Sequence, residues 1–334
     1  MTTPSRCRWR RLLIPALTTA LMRLREGTKP RIVFTTGHGE PSIDDMDVGH
    51  AALGLWRARL TATGSEVLAV NLLTQDVPDE TALVVVVGPK SPFRSDEAAR
   101  LKAFAERKKP VLLLLGDAET TGLEEFLKGF QVEIGPGFVV EPTSNYRGNP
   151  TTLLVPIVNA REPMIEPLNN EIVVLHRAAP LKIGNPAPGA AAVLPVVLLK
   201  TSPRSWAEPD LKSARGQKDP TDQAGPIPVA VAVNDRPAAG ETRPGPPRLV
   251  VFSSRYMADN MVVQLAPANL DLLMNAVNAL RGKAGSLGIP PKVHVAPTLS
   301  PDPVLKARLV LVPTVLSVLL IITLGVTTYL ARRD

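Results

Sequence analysis

The sequence predicts an α/β fold: a mostly parallel sheet with flanking helices, a Pro-rich β-containing second half, and one C-terminal transmembrane helix. Three observations carry this. Residues 83–87 (LVVVV) and 110–115 (PVLLLL) are unbroken apolar runs, the pattern of strands covered on both faces. They alternate with helix-period segments, which is the order of a parallel sheet between helices. Residues 309–330 (LVLVPTVLSVLLIITLGVTTYL) carry no charge at all.

Residues 1–30 form a basic N-terminal segment and lead helix, with Arg6, Arg8, Arg10 and Arg11, then an amphipathic stretch at 14–24 expected to pack on the adjoining domain. That α/β domain occupies 31–135. Residues 31–35 (RIVFT) make a first strand that ends in the turn Thr36-Gly37-His38-Gly39-Glu40. A helix is expected over 47–63, strands at 66–71 and 83–87, and a helix over 95–107 opened by Ser95 with Asp96 and Glu97 in its first turn. The strand at 110–115 ends in Gly116-Asp117, and a short helix comes next at 123–130.

Proline marks the change at residue 136: of 34 prolines, eight precede it and 25 fall in 136–303. Residues 136–282 read as a Pro-rich β-containing continuation of the same body, with strands at 138–141, 152–155, 193–199, 228–234 and 248–253. Within it, 201–226 is polar and reads as a mobile loop. An amphipathic helix covers 270–280, with Leu270, Leu273, Met274, Val277 and Leu280 at helical spacing. Residues 283–308 form a tether. The apolar run at 309–330 spans the roughly 30 Å of a bilayer's hydrocarbon core, with Lys306 and Arg308 before it and Arg332 and Arg333 after it.

Composition excludes several classes. The single Cys7 rules out a disulfide framework and any multi-cysteine metal site. The net charge of +7 is scattered and aromatics are 4% of the chain, so no nucleic-acid partner is expected. No G-x-x-x-x-G-K-[ST] phosphate loop is present; Gly88-Pro89-Lys90-Ser91 lacks its first glycine. There is no G-x-S-x-G elbow, no G-x-G-x-x-G turn, and Cys7 lies ahead of the first strand rather than on a nucleophile turn.

The sharpest local signal is the turn at 36–40. Loops at strand C-termini are where doubly wound sheets place ligands, glycines let a backbone approach closely, and His38 and Glu40 supply a proton acceptor and an anion. Thr36, Gly37, His38, Gly39 and Glu40, with Gly88, Pro89 and Asp117 from neighbouring strand ends, are the candidate ligand-binding residues. Asp44, Asp45 and Asp47 come next in the chain, but no metal and no cofactor are expected. The plainer reading of the turn is a tight loop whose side chains cap the next helix. His50 is placed on that helix, and His176 and His294 in loops.

Taken in order, ALTTALMRLREGTKP, TTGHGE, LVVVVGPKSPFRSDEAARLKAFAERKKPVLLLLGD, LPVVLLKTSPRSWAE, PVAVAVND, RLVVFSSRYMADN, NLDLLMNAVNAL, LGIPPK and the Arg-Arg-terminated helix resemble the GldG-like auxiliary subunits of ABC transporters. The resemblance covers about residues 16–333. It implies a class I glutamine amidotransferase-like fold without catalytic residues, separate ATPase and permease subunits as partners, and a place in the cell membrane. It further implies a soluble domain outside the cytoplasm and a cytoplasmic C-terminus. Family members usually begin with a membrane helix that this sequence does not show, and Arg281 stands where they often place Trp-Leu.

The expected function is therefore a non-catalytic, membrane-anchored accessory subunit of an ABC-type transport system. Two alternatives stand beside it: an anchored hydrolase acting through His38, Glu40 and Asp117, and a glycan-binding module.

Overall fold

The computed structural model describes residues 29–115, 120–185, 193–209, 218–220, 222–237, 244–283 and 303–332. The lead helix, Cys7, Asp117, His294, the middle of the polar loop and most of the tether lie outside these residues. The chain forms two units, a body within Met1–Ile289 and a helix within Pro290–Asp334.

A seven-stranded sheet organises the body. Strands β1 (Arg31–Thr36), β2 (Glu66–Asn71), β3 (Thr81–Val87) and β4 (Val111–Leu114) run parallel in the order β4-β3-β1-β2. Beyond β4 the sheet is completed from the other end of the chain. β15 (Pro247–Phe252) pairs parallel to β4, β14 (Pro228–Asp235) antiparallel to β15, and β11 (Val193–Lys200) antiparallel to β14. Six strands thus point one way and β14 opposes them. The proline-rich half therefore supplies three strands of this one sheet, which explains why residues 229–233 and 249–252 are buried as fully as β3.

Side chains alternate across the sheet as the strand period requires. Ile32, Phe34, Val85, Leu112 and Phe252 face α1 (Gly54–Ala62) and α5 (Pro267–Leu280), meeting Trp56, Leu60, Leu272, Leu273 and Val277. Val33, Val84, Val86, Leu113 and Val251 face α2 (Ser95–Glu106) and α3 (Glu124–Gly129), meeting Leu101, Phe104, Phe126 and Leu127. Helices on both faces are what unbroken apolar strands demand.

Smaller sheets decorate this core. β5 (Val132–Ile134) pairs β10 (Leu181–Ile183); β6 (Phe138–Val140), β12 (Trp206–Glu208) and β13 (Gln223–Ala224) form one three-stranded sheet; β7 (Asn145–Tyr146), β8 (Asn149–Pro156) and β9 (Ile172–His176) form another. Asn269 on α5 ties in β9, accepting from the Val174 N–H (2.9 Å) and donating to the Val174 carbonyl (2.8 Å), as a neighbouring strand would.

Four local expectations are corrected. The helix expected from residue 47 begins at Gly54. Asp45 accepts a hydrogen bond from the Asp47 N–H, and Asp47 from the Gly49 N–H, both at 2.8 Å, so these aspartates bond their own loop instead of a helix end. His50 consequently lies in that loop. His176 closes β9, where its Nδ1 lies 2.8 Å from Thr152 Oγ1. The polar stretch 201–226 contains β12 and β13, with Trp206 buried.

In the second unit, α6 (Pro303–Ala331) is continuous through Pro313. Its segment Leu311–Tyr329 is long and apolar enough to cross a membrane. The Ser317, Thr323 and Thr327 hydroxyls bond carbonyls one turn back, so the apolar run exposes no unpaired hydroxyl at these three positions.

Candidate functional site

The chain leaves β1 to form β2 on one side and returns to form β3 on the other. A crevice at such a reversal, outside the carboxyl ends of β1 and β3, is the standard ligand position in a doubly wound sheet. The two loops bordering it carry the sequence candidates Thr36–Glu40 and Gly88-Pro89, and the structure brings them together. The Lys90 and Ser91 N–H groups both donate to the His38 carbonyl, at 2.7 and 3.2 Å.

Inside the crevice stand the protein's own side chains. Glu40 turns back on its loop: Oε2 accepts from the His38 N–H at 2.6 Å and Oε1 from the Thr35 hydroxyl at 3.2 Å, leaving the carboxylate 2% exposed. The His38 ring is 5% exposed and stacks on Phe93 with centroids 4.2 Å apart. His38 Nε2 lies 3.0 Å from Glu97 Oε2, and the same carboxylate oxygen accepts the Arg94 N–H at 2.9 Å. Glu97 is fully buried. Its place in the first turn of α2 is thus set by two bonds, and the cap expected from Ser95 is replaced by Glu97 folding back on Arg94.

The result is a buried carboxylate–imidazole–carboxylate line, with His38 Nδ1 3.7 Å from Glu40 Oε1 and Nε2 on Glu97. His38 Nδ1 and Glu97 Oε1 are buried without a hydrogen-bond partner. Only the Glu97 side of this line is a hydrogen bond, and Phe93 stacked on the His38 ring, with the laced loops, leaves a solute no access to the three groups.

Two glycines are required by close approach. Gly37 has φ +114°, and a Cβ there would fall 2.9 Å from the Asn71 amide at the end of β2. Gly88 has φ +53°, and a Cβ would fall 2.6 Å from Arg255 Cβ and 2.0 Å from its Cδ. Arg255 is buried, with its guanidinium 4.2 Å from the Tyr256 ring centroid. Glycine at 88 therefore makes room for an internal arginine. Of the remaining candidates, Thr36 ends β1, Gly39 packs on the Lys90 side chain, and Asp117 lies outside the described residues.

Sequence reasoning missed Glu97, Phe93 and Arg255. Glu97 sits where an acidic residue is ordinary, near a helix N-terminus, and nothing in spacing joins residues 38 and 97.

Among the described residues, no group of three His, Cys, Asp or Glu side chains is arranged to hold a metal. The exposed loop at 44–50 comes nearest: His50 Nε2 lies 2.5 Å from Asp45 and Nδ1 3.5 Å from Asp47. The Asp47 N–H, then His50, hold the Asp45 carboxyl below its ordinary range, and the Asp45 bond raises the His50 imidazole. Both ring nitrogens face carboxylates, so this is an ion-paired loop.

Two surface clefts lie elsewhere. One, of about 150 Å³, lies between Glu141, Ser144 and the stretch Lys200–Ser202. Burial works against the Glu141 charge, yet hydrogen bonds from Ser202, Ser144 and Thr143 outweigh it and lower its pKa. Those bonds occupy the carboxylate, and no aromatic ring lines the cleft. The other is bordered by the pairs Arg100–Asp76 and Arg107–Asp79.

Residues 29–276 match the model of a family described as an ABC-type uncharacterized transport system. Among solved structures, the mmIFT52 N-terminal domain superposes with a TM-score of 0.52 at 15% identity, covering 75% of this chain and 97% of that one. A ThuA-like protein from Bacteroides uniformis gives 0.48 at 15% identity, covering 75% and 91%. The likeness to the first is one of fold alone. No curated protein matches the chain.

Proposed function

The chain belongs to the family described as an ABC-type uncharacterized transport system, and on that premise we propose that it is a non-catalytic accessory subunit, anchored by α6 and presenting its α/β body to an ATPase and a permease. One observation carries the non-catalytic part: the crevice in which this architecture places substrates is filled by His38 and Glu97, 5% and 0% exposed. A protein that turns over a ligand there would leave these groups open to it. The sequence has no phosphate loop, so ATP hydrolysis falls to another chain.

The finer assignment belongs to the same proposal. We take the chain to be GldG-like, with a glutamine amidotransferase-like body free of catalytic residues, residues 31–282 forming that body and 283–308 a tether. The body lies outside the cytoplasm and the C-terminus inside. Flanking charges do not decide this, since Lys306 and Arg308 balance Arg332 and Arg333; the family resemblance favours it.

The hydrolase reading through His38, Glu40 and Asp117 gains little, because His38 and Glu40 do converge but are sealed beneath Phe93. The test is affinity purification of the full chain from mild detergent. The proposal expects an ATP-binding subunit and a multi-span permease to accompany it; recovery of the chain by itself, with both subunits present in the same membranes, counts against it.

A further inference from the structure

The described body leaves an apolar patch in water. Met46 and Val48 are 53% and 40% exposed, and Met261 and Leu265 are 52% and 66% exposed. They are brought together by Asn260, whose side-chain amide donates to the carbonyls of Asp45 (3.0 Å) and Asp47 (2.8 Å). The loop carrying Met46 and Val48 is thereby fixed to the first turn of α4 (Asn260–Leu265), on which Met261 and Leu265 lie one turn apart on one face. The rim holds three aspartates against two bases among the ion pairs of the described residues: Asp44, 68% exposed, pairs with Arg57, and Asp45 and Asp47, the latter 57% exposed, share His50.

We propose that residues 14–24 of the same chain cover this patch. Their sequence supplies the complement: Ile14, Leu17, Leu21 and Leu24 recur at helical spacing, and Arg10, Arg11, Arg23 and Arg25 bracket them with the opposite charge. Reach also fits. The patch lies at the carboxyl edge of the sheet, since the Asn260 N–H bonds the Ala52 carbonyl just before α1, while the chain enters β1 at the opposite edge. A six-residue strand spans about 20 Å. Eleven helical residues cover about 16 Å, and the residues between 24 and 31 add up to about 20 Å of extended chain. The segment can therefore start at the patch and run down beside α1 to the start of β1. Four apolar side chains of the body and four of the segment leave water together, with arginines over aspartates at the rim.

This inference does not depend on the transport reading. Its test places a photo-crosslinking residue at Leu265 of the full chain in detergent, in an equal mixture of light and heavy-isotope copies. The expected product joins position 265 to a peptide within 12–25 of the same copy. Products joining two copies, products with lipid or another protein, or no product at all overturn the proposal. In parallel, trypsin cleavage at Arg23 and Arg25 is timed for the wild type and for Met261→Asp/Leu265→Asp. Cleavage about tenfold faster in the double variant supports the docking, and equal rates refute it.

Discussion

His38 Nε2 and Glu97 Oε2 meet at 3.0 Å in the interior, joining the loop after the first strand to the first turn of a helix 59 residues later. The contact crosses the crevice between β1 and β3 and closes it. The chain has thus kept the strand reversal that makes a ligand site and filled it with its own acid and base.

Removing either partner strands the other in the interior. Glu97→Ala and His38→Ala are each expected to cost about 3 kcal/mol, and the double variant less than their sum by about 1–3 kcal/mol. Urea unfolding of the detergent-solubilised chain, followed by the buried Trp56, measures this. Additive losses would show that the two groups do not act as a pair.

Gly88 has a left-handed φ and no space for a side chain against Arg255. Gly88→Ala is expected to destabilise by about 2–4 kcal/mol, combining the left-handed backbone with overpacking. The same unfolding experiment reads it, and a change near zero would mean that Arg255 is free to move away.

Asn260 is fully buried, accepts the Leu55 N–H at 3.0 Å and donates to two loop carbonyls. Asn260→Ala should cost about 2 kcal/mol and free the loop at 44–50. Hydrogen exchange at the Leu55 amide is expected to rise at least about tenfold. Unchanged protection would show that the loop holds itself in place.

Glu141 gives a pH prediction with a definite sign. Its carboxyl is lowered from the ordinary 4.5 by hydrogen bonds from Ser202, Ser144 and Thr143 that outweigh burial. A depressed carboxylate stabilises the fold above its unfolded value, and that contribution is lost as pH falls through the folded value. Glu141→Gln should therefore melt lower at neutral pH and lose less on acidification below 4.5. Parallel melting curves for the two proteins across that range would contradict it.

A chain ending at residue 302 should leave the carbonate-washed membrane pellet and appear in the supernatant, because it lacks Leu311–Tyr329, the segment long and apolar enough to cross a membrane. Retention in the pellet would show that another segment holds the chain there.

The parts of the fold legible in the sequence were those set by local pattern. Leu83 to Val87 announce a strand covered on both faces, and Leu273, Met274, Val277 and Leu280 announce a helix face. Pairing was not legible: β15 lies beside β4, from which it is separated by more than 130 residues, and no local pattern encodes that choice. The start of α1 was misplaced because the Asp45 and Asp47 side chains compete for backbone N–H groups that a helix would use. At the candidate site the turn at 36–40 was found from its glycines and polar residues. Its role was hidden because Glu97 and Phe93 come from another element, and only burial distinguishes a ligand-binding histidine from one that fills the space.

As a non-catalytic accessory subunit, this chain would travel with the rest of a transporter. Native mass spectrometry of the complex released from detergent tests it most directly. The expected spectrum shows a single assembly containing this 35.8 kDa chain together with an ATPase and a permease. A spectrum holding only the free 35.8 kDa chain or its self-assemblies, from membranes that contain the other two subunits, would contradict it.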